Sequence, residues 1–295
     1  MKNDCAARST INWSAFRIIP LNTLRGFTSI GRPIDPNYPT NRAIALLALA
    51  VAVGGTVVSA FRGGEWPQSI TFGLGAGFAV FLAWALCREL DPDHDLSAFL
   101  AAALVIAGLF VWGLPDTVAL FWLLLAVRVV NRSTGLPPTI FDSLSVLGLG
   151  LWLNFSQHWG FGVVAAVAFF LDARLVRGEP RQLLFAGASL VAAVLTALGA
   201  RDMPITLSPV FALTIALTAA FLPVIFASGR LVTTGDDTSE PLDPNRVRSG
   251  QILALLTGVG AALWGGPAGF AAMLSLWAAA AGAAGYKVQV ASSRP

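Results

Sequence analysis

Charge is scarce in this chain. Only 12% of its 295 residues are charged, about half of what soluble domains carry. A mean hydropathy of +0.71 excludes a water-soluble globule of this length, whose surface needs polar cover. Cysteine is nearly absent. Cys5 and Cys87 are too few and too far apart for a disulfide framework or a thiolate metal centre. The two histidines, His94 and His158, fall in different predicted loops, which argues against a histidine metal site. No Ser-His-Asp order, His-Glu-x-x-His motif or phosphate loop occurs. Glycine pairs such as Gly148 and Gly150 follow no soluble strand, so they form no dinucleotide fingerprint. Lysine is limited to two residues against seventeen arginines.

Long apolar runs fill the rest. They predict an all-α integral membrane protein with about ten short transmembrane helices. The spans are expected near 43–61, 70–87, 96–112, 116–130, 139–154, 159–173, 182–200, 207–228, 250–265 and 268–286. Several runs hold only about 16 residues, or roughly 24 Å of helix, against a ~30 Å hydrocarbon core. Such helices must stand upright, thin the bilayer or be buried among neighbours. Residues 1–42 form a leader with no apolar core near its start, so no cleaved signal peptide is expected. Residues 43–286 form one transmembrane domain, and 287–295 a tail.

The basic residues test that topology. With both termini in the cytoplasm, the inner side receives seventeen of the nineteen lysines and arginines, and only Arg62 and Arg201 fall outside. The positive-inside rule predicts such a division for a correct span assignment. It implies a multi-pass protein of the inner (cytoplasmic) membrane. Trp66, Trp112, Trp159 and Trp264 lie at outer turns, where an indole suits the interface.

The inner loops repeat. Asp35-Pro36, Asp91-Pro92, Glu179-Pro180 and Asp243-Pro244 precede odd-numbered spans, and Pro137-Pro138 precedes the fifth. Arg88, Arg128, Arg174, Arg230 and Lys287 close the even-numbered spans. The chain therefore reads as five helical hairpins. Acid and proline suit a helix start, and a cation suits its end. In the leader, residues 11–30 mix apolar bulk around Trp13 and Phe16 with Arg17 and Arg25. That stretch suits the membrane surface or a protein partner.

Four groups of residues could carry chemistry. Asp91, Asp93 and Asp95 in one inner loop, with Asp236 and Asp237 in another, could hold Mg²⁺ together with a substrate phosphate. Their placement is similar in kind to the two Asp-rich inner motifs of UbiA-type membrane prenyltransferases. Here the acids are packed around a proline with no Asn before them, so the likeness stops at that level. Arg128, Asn131, Arg132, Arg174, Arg177 and Arg181 could grip phosphate or anionic lipid headgroups. Asp142 and Asp172 lie within or at the ends of spans, where an acid is a functional candidate. Thr139 to Asp142 also has the form of a capping box, and Asp172 is close enough in sequence to pair with Arg174. The outer stretch Asn154, Ser156, Gln157 and His158 could line an entrance or form an interfacial turn. Pro209 and Pro223 are expected to kink the eighth span and free backbone carbonyls, which marks it as a moving or binding helix. Gly73 and Gly77 have the spacing that lets membrane helices approach closely.

Ten short spans with inward termini resemble the overall plan of drug/metabolite transporters. That resemblance implies a permease, although the repeat here has two helices and not five. The scarcity of mid-membrane charge favours neutral or lipid-like cargo over ion coupling. A non-catalytic scaffold that docks a partner through its leader is the first alternative, and a Mg²⁺-dependent enzyme on a lipid or prenyl phosphate the second. No cofactor is expected outside that last reading. The expected partners are the bilayer and its anionic headgroups, without nucleic acid.

Overall fold

A computed structural model describes residues 27–32, 34–200 and 208–292. The apolar part of the leader expected to contact membrane or partner, residues 11–26, lies outside them, as does Arg201. The described residues form ten helices. They are α1 (Pro39–Phe61), α2 (Trp66–Leu90), α3 (Asp95–Trp112), α4 (Thr117–Asn131), α5 (Ile140–Ser156), α6 (Gly160–Arg174), α7 (Gln182–Gly199), α8 (Val210–Ala227), α9 (Pro244–Ala272) and α10 (Leu274–Ser292). Six of them, α1, α2, α3, α7, α8 and α9, are long and apolar enough to cross a membrane. The chain is thus a multi-pass, all-helical membrane protein.

Helices α2, α4, α9 and α10 make the centre. Helix α2 is packed by α1, α3, α4 and α10, and its most apolar stretch is 61% buried. The equivalent stretch of α1 is 6% buried. It touches α2 through one face and leaves Leu46, Leu49, Val53 and Phe61 outward, as lipid contact requires. The α1–α2 approach is as close as the glycine spacing predicts. A β-carbon on Gly73 would lie 2.2 Å from the Ala52 carbonyl oxygen, and one on Gly77 2.5 Å from that of Ala48. Either would force the helices apart.

The pairs α1–α2, α5–α6 and α9–α10 pack as neighbours in the expected hairpin manner. Helices α3 and α7 depart from it. Helix α3 packs mainly on α10 and α2, and α7 on α6 and α5. Burial against non-sequential partners outweighs the short connection in both cases.

Helix ends are explained locally. Asp243 caps α9 by accepting from the N–H groups of Asn245 and Arg246 at 2.8 and 3.0 Å, with Pro244 as the first helical residue. Thr139 and Asp142 form the predicted capping box of α5. The other acid–proline pairs do not cap. Asp35 and Glu179 sit a turn before α1 and α7, and Asp91 follows α2 as its C-terminal cap. Helix α9 is broken at Gly266, whose φ of 55° and ψ of −136° leave the helical region. The chain folds back there: Gly258 lies against Trp277, and Gly269 against the Ala261 carbonyl. The reversal sits between the spans expected at 250–265 and 268–286.

The connections gather at two opposite faces. One face is rich in arginine and holds residues 27–32 and the loops before α3, α5, α7 and α9. The other holds the loops before α2, α4 and α6 and the Gly266 reversal.

Candidate functional site

On the arginine-rich face two acids, each at a helix end, organise the polar groups. Glu89, at the end of α2, is 1% exposed. Its carboxylate accepts from Arg128 Nε at 3.0 Å, Arg32 Nη1 at 3.3 Å and the Ser133 hydroxyl at 3.2 Å. Asn131 donates to the Glu89 carbonyl at 3.0 Å. Asp172, at the end of α6, is fully buried. Arg132 grips it with two bonds of 2.8 and 3.0 Å, and Arg246 donates to the same carboxylate at 2.8 Å. The remaining Arg246 donors reach the Val130 and Val176 carbonyls at 2.8–3.0 Å. Three helices, α4, α6 and α9, are therefore joined through one carboxylate.

The expected pairing of Asp172 with Arg174 is not what forms. Arg174 points outward, 5.6 Å from the Phe170 ring centre. The inner arginines proposed for phosphate mostly serve the protein itself. Besides Arg128 and Arg132, Arg177 pairs with Glu240, and Arg181 donates to the Pro138 carbonyl at 2.5 Å.

The structure brings the two acidic loops together, and the cation between them is Arg32. Its guanidinium holds Asp236 through bonds of 2.6 and 2.9 Å while reaching Glu89. Burial pulls the Arg32 pKa down, but the charges of Glu89 and Asp236 outweigh it and raise the group above its ordinary value. Asp93 accepts from the backbone N–H groups of Val232 and Thr233 at 3.1 and 2.9 Å and from the Thr233 hydroxyl at 2.6 Å. Asp95 pairs with Arg88, and Asp91 with His94. The Asp237 N–H donates to the Thr134 carbonyl at 3.0 Å. Among the described residues, no three His, Cys, Asp or Glu side chains are arranged to share a metal ion.

Asp142 is 2% exposed and anchors the end of the leader. Beyond its capping role, it accepts from the Thr28 hydroxyl at 2.5 Å and from the Ser29 N–H and hydroxyl at 2.9 Å each. The Ser29 carbonyl accepts from Thr134 at 2.7 Å, and Arg128 donates to the Ile30 carbonyl at 3.3 Å. Residues 27–32 thus cross this face as a strap, which closes it further. Neither Arg32 nor Ser29 stands out in the sequence, because each meets partners over a hundred residues away.

The opposite face is built differently. A cavity of about 600 Å³ lies between α6 and α9 and reaches this face, and its walls include the exposed Val167 and Leu256. Its walls are Phe161, Val163, Val164 and Val167 of α6 and Leu253, Leu256, Thr257 and Ala261 of α9, with Met273 beyond the reversal. Gly160, Gly260, Gly265 and Gly269 also line it, and of these Gly265 faces open space. At the mouth, His158, Trp159 and Trp264 pack ring against ring, with centres 5.0–5.3 Å apart. The interfacial anchors expected at Trp159 and Trp264 are therefore part of this cluster. Trp112 packs on Phe270 at 5.1 Å, while Trp66 remains outward.

Polar groups at the mouth are few. Asp116 caps α4 through the N–H groups of Val118 and Ala119 and accepts from Gln157 at 2.7 Å. Thr257 donates within its own helix to the Leu253 carbonyl at 2.8 Å. The Gly160 N–H donates to His158 Nδ1 at 2.9 Å. Burial holds the His158 pKa below its ordinary value, so the ring is neutral at pH 7. Of the candidate outer stretch, Gln157 and His158 reach the cavity. Asn154 instead ties α5 to α7 by donating to Thr196 at 2.8 Å, and Ser156 bonds back to the Trp152 carbonyl.

Helix α8 does not line this cavity. Pro209 lies outside it as its N-terminal cap, because its ring ends a turn more readily than it enters a helix, and Pro223 alone is inside. No family model matches this chain, and neither a curated protein nor a solved structure matches it.

Proposed function

We propose that the chain crosses the membrane ten times and acts as a permease for a neutral, apolar or lipid-like small molecule. The observation that carries this reading is the cavity between α6 and α9. Its volume falls in the range of small-molecule sites, about 300–1,000 Å³, and its walls are mostly apolar. The same two helices are joined at their other ends through Asp172 and Arg246. A molecule in the cavity would thus meet a closed face below it. The positive-inside rule favours the cytoplasm for that closed face, which in this reading makes the cavity part of an outward-facing form. Passage would require the Arg132–Asp172–Arg246 junction to part while the His158–Trp159–Trp264 cluster closes.

The acidic loops support this reading over metal-dependent chemistry, since Arg32 already bridges them. Spin labels at Arg174→Cys and Asn245→Cys, in a Cys5→Ser background, would report the junction, because both sites are exposed at the ends of α6 and α9. A permease should give two distance populations in lipid, with the longer one enriched by Asp172→Asn. One narrow distance in both proteins would overturn the proposal and favour a static scaffold.

A further inference from the structure

The cavity holds one polar group whose state can be worked out and whose partner is missing. His158 Nδ1 accepts the Gly160 N–H at 2.9 Å, so that nitrogen carries the lone pair. The proton of the neutral ring must then sit on Nε2. That nitrogen is shielded from solvent and has no hydrogen-bond partner, the one such group among the described residues lining the cavity. A buried donor without a partner costs about 1–3 kcal/mol, so such groups in native structures call for an acceptor that the protein itself does not supply. The Asp116, Gln157 and Thr257 side chains that also line the cavity are committed. Both Asp116 oxygens are used on α4 and Gln157, and the Thr257 hydroxyl is used on Leu253.

We infer that His158 is the specificity-determining donor of this cavity, and that its ligand is an uncharged molecule with an apolar body and one hydrogen-bond-accepting oxygen near its end. This rests on the permease reading of the cavity. The apolar body would lie between the valines of α6 and Leu253 of α9, with the oxygen accepting from His158 Nε2. Trp264, which is 37% exposed and packs on the His158 ring at 5.3 Å, is the side chain that must shift to admit it. A cationic ligand fits less well. The three rings are packed on one another and leave no open aromatic cage for it. An anion would face Asp116.

The test compares bromododecane with a bromododecanone of the same length, by quenching of tryptophan fluorescence in the purified full-length protein. The ketone should bind about tenfold more tightly, the equivalent of one good hydrogen bond. His158→Phe keeps the ring packing and removes the donor, so it should abolish the preference. His158→Gln places an N–H near the same point and should restore it, and a Gln variant that folds but shows no preference would count against the inference. Saturable quenching by both probes with equal affinity in the native protein would overturn the role of His158 and leave the cavity as a site. No saturable quenching by either probe would overturn the cavity reading as well.

Discussion

The two faces of this molecule are held together by different forces. On the arginine-rich face, the buried charges are paired, although Asp91 Oδ2 and Asn131 Oδ1 lack a partner. Arg246 alone serves a carboxylate and two carbonyls through bonds of 2.8–3.0 Å. On the other face, the helices that meet at Asp172 and Arg246 separate around about 600 Å³ of mostly apolar space. The difference shows where each face draws its strength. One is held by charge pairing in a low-dielectric setting, where removing one partner leaves an uncompensated ion. The other is held by ring packing, which can be rearranged without stranding a charge.

The largest break in this comparison should come from Asp172→Ala. It leaves Arg132 and Arg246 buried without a counter-ion and should cost about 3–5 kcal/mol, read by chemical unfolding in mild detergent. Asp142→Ala comes next. It removes a helix cap and strands the Ser29 N–H, for about 1–3 kcal/mol, and frees the strap. Limited proteolysis should then cut within residues 27–32, where the native protein resists. Asp236→Ala removes an exposed partner of Arg32 and should cost no more than about 1 kcal/mol. If Asp236→Ala proved as damaging as Asp172→Ala, the contrast between buried and exposed pairs would fail.

The smallest effect lies on the cavity face and concerns pH. The folded-state pKa of His158 is depressed by burial. The unfolded chain therefore takes up a proton at a pH where the folded ring does not. The neutral ring's contribution is fully present above the ordinary histidine value of about 6.5 and is lost as pH falls below it. Melting temperature should decline in that window, and His158→Phe should remove that part of the slope. An unchanged slope in the variant would contradict the burial of a neutral His158 ring.

What could be read in the sequence follows from the range of each interaction. The Thr139–Asp142 capping box and the reversal at Gly266 are set by neighbours three or four residues away, and both are where the local pattern predicts. The segregation of arginines to one face is likewise visible, because the positive-inside rule acts loop by loop. The uses of those arginines are not visible. Asp172 is 74 residues from Arg246, and Asp236 is 204 from Arg32. The acidic loops that suggest a metal site from composition also meet a leader arginine, Arg32, through Asp236 and Glu89. Pro209 is another case: a proline at a span boundary can kink the helix or begin it, and only packing decides. The cavity left a faint trace in the polar run ending at His158. Its far wall, around Leu253 and Ala261, looks like any other membrane helix in sequence.

A permease of this kind must receive its ligand in the space between α6 and α9. Val163→Phe with Val167→Phe, one turn apart on α6, should fill it without touching either ion-pair centre. The measurement is probe binding to this double variant, by tryptophan quenching with bromododecanone, beside its melting temperature without probe. The prediction is lost binding at an unchanged or higher melting temperature. Native-like binding in a well-folded double variant would mean that the cavity is not the site.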